Sequence, residues 1–322
     1  MLVAGAIWGE SSLVTTALLT HPACLDHKVP QGHPERPARL AAVIKALEAP
    51  AFEALKRVEA PRAPLDAIER VHPAALVEGL LGAVPETGFA AIDGDTSMSP
   101  GSGEAALRAA GAALKAVDLV AAGEVTNAFC AVRPPGHHAE PEQPMGFCLF
   151  NNIGIGALHA RAAHGFKRIA VIDFDVHHGN GTQALFERDP DLFFASTHQS
   201  PLYPGTGRPS EHGVANNILN VPLPPGAGGD AFRAAMSGAI LPALGDFKPD
   251  FVFISAGFDA HKADPLASLM FEEADYAWAT REIVSACDKL CAGRLVSTLE
   301  GGYDLDALAA SAAVHVAALM AA

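Results

Sequence analysis

Residues Arg168–Gly181 read RIAVIDFDVHHGNG. Ile169 to Ile172 are a short apolar run rich in β-branched residues, the pattern of a strand buried on both faces in a parallel sheet. Asp173, Asp175, His177 and His178 follow at once. Side chains alternate along a strand, so the spacing predicts Asp173, Asp175 and His177 on one face at the strand's C-terminal end. Gly179-Asn180-Gly181 then turns the chain, and Thr182 is expected to cap the next helix. Two carboxylates and an imidazole at spacing two, opening a loop, are placed to grip a divalent metal. A buried strand that simply ends in solvated charge would leave this grouping unexplained.

Outward from this stretch the same alternation repeats. Strands are expected over 13–20, 127–133, 168–174, 192–197, 217–221, 250–256 and 295–299. Helices are expected over 38–47, within 65–81 with one starting at His72-Pro73, and over 102–122, 152–164, 182–186, 230–244, 272–291 and 304–319, while 90–103 reads as a loop. Strands alternating with helices call for an α/β fold, a central and mainly parallel β-sheet with helices on both faces. No linker or repeat interrupts the pattern, so residues 1–322 are expected to form a single catalytic domain, with 1–12 readable as an extension. Right-handed crossovers gather the strands' C-terminal ends along one edge, where ligands bind in such sheets. The polar loops all follow strands, which puts His137, His138, Asp175, His177, Asp259, Asp264 and Tyr303 on that edge.

Composition narrows the function. The chain has 322 residues, 50% of them hydrophobic and 18% charged, with a formal net charge of -14. Nucleic acid is excluded as a partner because phosphate binding needs a basic patch. A cationic substrate is compatible with the field. The apolar N-terminus has no basic start and is broken by Gly9 and Glu10, so no secretory signal is expected. No apolar run reaches the ~18 residues of a membrane helix, so no membrane partner is expected. The five cysteines are scattered and odd in number, which fits a reducing compartment and a cytoplasmic protein. Cys287 and Cys291 read as core packing. Self-association into a homo-oligomer is left open.

The metal site takes Asp175, His177 and one further ligand. Asp264, in SAGFDAHKADP, is the expected third, with Asp259 and His261 as rivals. Three protein ligands leave a position open for water and substrate, as in catalytic zinc sites, although two carboxylates also suit Fe²⁺ or Mn²⁺. His137-His138, in the rigid RPPGHH turn, can serve as general acid and base near neutral pH. Asp173, one pleat before Asp175, is expected to orient one of them. Tyr303, freed by Gly301 and Gly302, can donate to a developing oxyanion. Phe147 and Tyr203, in loops after strands, would form a slot for a thin alkyl chain. Leu269, Met270 and Phe271 are expected near its rim, with Glu272 and Glu273 following.

The motifs HPACLDH, GHPERPARL, RPPGHHA, MGFCLFNN, DFDVHHGNGTQ, PGTG, SAGFDAHKADPL and LEGGYD, in this order, resemble the histone deacetylase-like amidohydrolase family, which shares its fold with arginase. The resemblance runs from about Leu18 to the C-terminus. It implies that Asp175, His177 and Asp264 are zinc ligands. It implies that His138 is the general base that later protonates the leaving amine, and that His137 is its electrostatic partner held by Asp173. Tyr303 is implied as oxyanion donor. Gly146, Phe147 and Tyr203 are implied as walls of an acyl-lysine tunnel, and Arg36 as the arginine of an inner product channel. A potassium ion is implied at Asp173, Asp175, His177, Ser196 and Thr197, and a second monovalent site at the backbone of Phe186, Asp189 and Leu192. Asn180 stands where one branch of the family has an aspartate, so the chain resembles the class II and bacterial branch. The expectation is a zinc-dependent hydrolase of an N-acetylated amine, either acetyl-lysine in a peptide or an acetylpolyamine. Two readings compete. A two-manganese ureohydrolase lacks its second set of bridging aspartates here. A non-catalytic acyl-lysine binder would be expected to lose a ligand, the histidine pair or the tyrosine.

Overall fold

The computed structural model describes residues 15–321. Its strands are β1 (Thr16–Thr20), β2 (Lys56–Glu59), β3 (Ala90–Ala91), β4 (Ser97–Met98), β5 (Asn127–Cys130), β6 (Ile169–Asp173), β7 (Leu192–Gln199), β8 (Ile218–Leu223), β9 (Phe251–Ala256) and β10 (Leu295–Leu299). Its helices are α1 (Pro37–Ala46), α2 (Leu65–Ile68), α3 (Ala74–Gly82), α4 (Ser102–Ala121), α5 (Asn152–His164), α6 (Asn180–Phe186), α7 (Gly229–Ala235), α8 (Leu241–Phe247), α9 (Glu273–Cys291) and α10 (Leu305–Met320). The single domain expected from the alternation is present. The first expected strand begins at Thr16; its residues 13 and 14, and the extension before them, lie outside the described residues.

Eight strands form one sheet in the order β2-β1-β5-β10-β9-β6-β7-β8, and every neighbouring pair is parallel. The inner strands β5, β6, β9 and β10 are buried along their whole length, as their continuous apolar runs require. Helices α4 and α5 pack together with α2 and α6 against α5, while α1, α10, α9, α7 and α8 form the other contacting group. Helix starts follow local chemistry. Proline opens α1, a Glu272–Asp275 capping box opens α9, and the Asp304 side chain accepts from Ala307 N at the start of α10.

Several expectations need correction. β2 was not expected because it carries no apolar run; it is a mostly exposed edge strand, KRVE, whose charges blunt the edge. The expected loop 90–103 contains the β3–β4 ribbon, closed by Asp93 Oδ1 accepting from Asp95 N (2.9 Å) and Thr96 N (2.6 Å). The expected helix 230–244 is α7 and α8 joined by a π-turn at Met236–Ile240, next to a proline in the first turn of α8 that supplies no N–H. Thr182 does not cap α6, which starts at Asn180; its hydroxyl accepts from Asn151 Nδ2 at 3.3 Å.

The opening stretch also differs in one respect. β6 stops at Asp173, so strand alternation does not place the residues after it. Instead Asp175 N donates to Asp173 Oδ1 (3.0 Å) and His177 N to Asp175 Oδ1 (2.8 Å), and each aspartate bends the chain behind it. The four adjacent strands β5, β10, β9 and β6 therefore deliver four polar loops side by side: the RPPGHH turn, LEGGYD, SAGFDAHKADP and FDVHHGN.

Candidate active site

These loops brace one another. Glu300, directly after β10, accepts from Gly136 N (2.7 Å) and His137 N (3.1 Å), which holds the histidine turn after β5. Asp173 Oδ2 accepts from His137 Nδ1 at 2.9 Å. Asn180 Nδ2 donates to Glu140 Oε1 (2.7 Å), which turns its Oδ1 to accept from His138 Nδ1 at 2.8 Å. With the proton on Nδ1, His138 presents a bare Nε2.

The two imidazoles are 4.0 Å apart between ring centroids but sit in opposite fields. Burial pulls His137 down, but Asp175 and Asp173 outweigh it and lift the ring to about 10. Burial, reinforced by His137 and His177, pushes His138 well below its usual value. One is held protonated and its neighbour neutral, the division of labour an acid–base pair needs.

The structure groups Asp175, His177 and Asp259: one donor atom from each lies within 4.8 Å of the others, and all three residues are buried. His177 Nδ1 is 3.1 Å from both Asp175 Oδ1 and Asp259 Oδ2. Asp264, the expected third ligand, is outside this group. Its oxygens accept from Tyr303 N (2.7 Å) and Leu266 N (3.0 Å), and each keeps a lone pair for a further partner. The donor set fits a divalent cation. Among the described residues no lysine or arginine pairs with Asp175 or Asp259. Against the cost of burial, these carboxylates lift His177 to about 10, a field that attracts positive charge. Gly301 N donates to Asp175 Oδ2 at 2.8 Å, and a Cβ on Gly301 would overlap the carboxylates of Asp259 and Asp175. Glycine is required there to keep the cradle open.

A cavity of about 220 Å³ leads to this cluster, lined by Asp95, His138, Gly146, Phe147, His177, Leu202, Tyr203, Leu266 and Tyr303. Gly146, Phe147 and Tyr203 thus stand where expected. Gly146 (φ 56°) and Phe147 (φ 68°) are both left-handed, and a Cβ on Gly146 would overlap the His138 ring. Tyr203 is 38% exposed at the mouth, its ring 5.2 Å from that of His138. Tyr303 packs edge-on to Phe147 at 6.0 Å, and the Arg39 guanidinium lies 4.7 Å from its centroid. Gly302 takes φ 122° just before it.

Other expected residues lie elsewhere. Phe271 is fully buried and stacked on Phe232 at 4.5 Å, and Leu269 is buried too, so neither forms the rim; the chain here bridges back to His261 before entering α9. Leu266 takes the rim position. Glu272 caps α9 and pairs with Lys262. Phe271→Ala is expected to cost about 3–5 kcal/mol of stability with KM unchanged. Denaturant unfolding beside steady-state kinetics tests this, and a raised KM at unchanged stability would return Phe271 to the rim.

Arg36 is exposed at the N-cap of α1 and lines an adjoining hollow with His33, which shares Leu266 and Tyr303 with the cavity above. The buried arginine is Arg39, one turn on. It donates to the carbonyls of Gly302 and Glu300 and to Glu35 Oε1 (2.9 Å), and Glu35 is also paired with Arg133. Arg39, Glu35 and Glu300 escaped the sequence reading. The available signal was a charge on the buried stripe of α1, with Leu40 and Val43. At the second monovalent site, the carbonyls of Phe186, Asp189 and Leu192 converge on the Asn217 amide, which donates to them at 2.9, 3.0 and 2.8 Å. Of the first, Ser196 Oγ is bonded to His198 Nδ1 (2.9 Å), and Thr197 Oγ1 is buried without a partner. All five cysteines are free and buried, and among the described residues no helix is long and apolar enough to cross a membrane.

A parallel α/β sheet thus carries a histidine pair and a cation-attracting acidic cluster at its C-terminal edge, groups that metal-assisted hydrolysis can use. Residues 33–319 match the histone deacetylase domain model, and the chain belongs to that family. It is 43% identical to "Histone deacetylase 14, chloroplastic" of Arabidopsis thaliana, over 92% of this chain and 75% of that protein. It is 41% identical to the "Histone deacetylase-like amidohydrolase" of Pseudomonas aeruginosa, over 84% of this chain and 73% of the relative. The crystal structure of the HDA15 HD domain superposes with a TM-score of 0.88 at 34% identity, covering 95% of this chain and 89% of the other. The chain is a hydrolase that acts on acetylated amides.

Proposed function

We propose that this chain is a zinc-dependent amidohydrolase that removes the acetyl group from an acetylated lysine side chain in a peptide. The observation that carries the reading is the cavity. Its wall of Phe147, Leu202, Tyr203 and Leu266 suits a thin alkyl chain, and it ends at His138 and His177. Asp95 is the acidic group on its lining, and no glutamate from the loop after Asp264 enters it. That apolar wall favours a lysine stem over a polyamine, whose second amine would meet leucine.

Zinc held by Asp175, His177 and a third carboxylate, Asp264 or its rival Asp259, would polarise the amide carbonyl and lower the pKa of a water molecule. His138 Nε2 takes the proton of the attacking water and delivers it to the departing amine. His137, kept charged between Asp173 and Asp175, steadies the negative charge that builds up beside it. The Tyr303 hydroxyl donates to the carbonyl oxygen as it becomes an oxyanion. Potassium at Asp173, Asp175, His177, Ser196 and Thr197 belongs to the same reading, and the unpartnered Thr197 Oγ1 supports it.

The test is a panel of acetyl-lysine peptides, acetylputrescine, acetylspermidine and longer acyl-lysines, each with and without a chelator. Turnover is expected to be highest on acetyl-lysine peptides, abolished by chelation and restored by zinc. Chelator-insensitive turnover would overturn the metal mechanism. Highest turnover on the polyamines would overturn the substrate and leave the mechanism standing. A protein that binds these peptides without turning any over would be the non-catalytic binder.

A further inference from the structure

Two groups of converging metal-ligating side chains occur among the described residues, and one of them is the acidic cluster above. The other is Asp118 on α4 with His159 and His164 on α5. We propose that these three residues form a peripheral site for a first-row divalent transition metal, separate from the catalytic centre and clamping α4 to α5.

Convergence is the main argument. His159 Nε2 lies 2.7 Å and His164 Nε2 2.8 Å from the same Asp118 oxygen, Oδ1, and the rings stand at 85° to each other. Two imidazoles from one helix thus bring their Nε2 atoms and a carboxylate oxygen together at one point, the convergence that an ion between them requires. Metal–ligand bonds of about 2.0–2.2 Å in a tetrahedron separate ligand atoms by roughly 3.4 Å, so opening each contact by about 0.6–0.7 Å admits the ion. Two imidazole nitrogens and one carboxylate oxygen suit Zn²⁺, Co²⁺, Ni²⁺ or Cu²⁺ over Mg²⁺ or Ca²⁺.

Position and exposure agree with this. His164 is the last residue of α5, ahead of the left-handed Gly165, so its ring can swing beside that of His159 although the two are not on one helical stripe. The side chains of His159, His164 and Asp118 are 16%, 27% and 43% exposed, enough for a hydrated ion to enter and keep a water ligand. Metal on Nε2 puts the proton of His159 on Nδ1. That atom is 3.5 Å from Arg70 Nη1, a long contact that Arg70 can give up because its other nitrogen already holds Asp66 at 3.3 Å. Helix α5 begins beside the catalytic turn, where Asn152 donates to Pro134 O, and runs about 20 Å away from it. Turnover should therefore not depend on this site.

The test titrates Co²⁺ into protein whose catalytic centre is already filled with zinc, following bound metal and visible absorption. Wild type is expected to take up one further equivalent with tetrahedral Co²⁺ bands, and Arg70→Gln to bind at least as tightly. His164→Ala and Asp118→Asn are expected to lose that equivalent at unchanged deacetylase turnover, which also reports that they fold. No further equivalent in wild type would overturn the proposal. So would uptake undiminished in either His164→Ala or Asp118→Asn, whichever of them folds.

Discussion

His138→Ala is expected to lower kcat by roughly 10²–10⁴, the range for removing a positioned general base. Asn180 holds the Nδ1 proton, and burial with the flanking imidazoles keeps the ring neutral, so Nε2 is ready to accept. His137 cannot substitute. It is bonded to Asp173 and held protonated by two carboxylates. The metal cluster does not include His138, so the variant should bind as much zinc as wild type. Stopped turnover with full metal content is the expected pair of readings. Turnover within a few-fold of wild type would remove His138 from the mechanism, and lost zinc would mean that it acts through the metal.

Tyr303→Phe is expected to lower kcat by about 10²–10³ with KM little changed, the scale for one oxyanion donor. The ring's packing against Phe147 and under Arg39 does not use the hydroxyl. The variant should therefore unfold at the same denaturant concentration as wild type. Near-normal turnover would sink the oxyanion role. A lower folding midpoint would assign the loss to packing. Arg39 contributes as a positioning group: it bonds the carbonyls of Gly302 and Glu300 and holds the loop that carries Tyr303.

Much of the site was legible because its chemistry is carried by contiguous motifs. The histidine pair, the Asp175–His177 pair and Tyr303 each follow an apolar run that could only be a strand. Asp259 and Asp264 show where such reading ends. Both are acidic, both lie in one loop, and both face the same edge. Only the path of the backbone decides that Asp259 reaches His177 Nδ1 while Asp264 accepts from the N–H groups of Tyr303 and Leu266. Arg36 and Arg39 differ in the same way. Each is an arginine at the start of α1, and the helical phase alone buries the second.

By itself the sequence determined the parallel α/β architecture, the edge that carries the polar loops and the residue types gathered there. Those properties are local, since apolar runs and turn residues act over a few neighbours in the chain. The tertiary structure decided the strand order, which makes β5, β10, β9 and β6 adjacent, and with it the buried arginine, the Glu300 brace and the rim leucine. It also turned Phe271 inward onto Phe232. These are contacts between loops distant in sequence. Which of two similar side chains makes such a contact depends on backbone direction over an ångström or two, a quantity that spacing and composition do not encode.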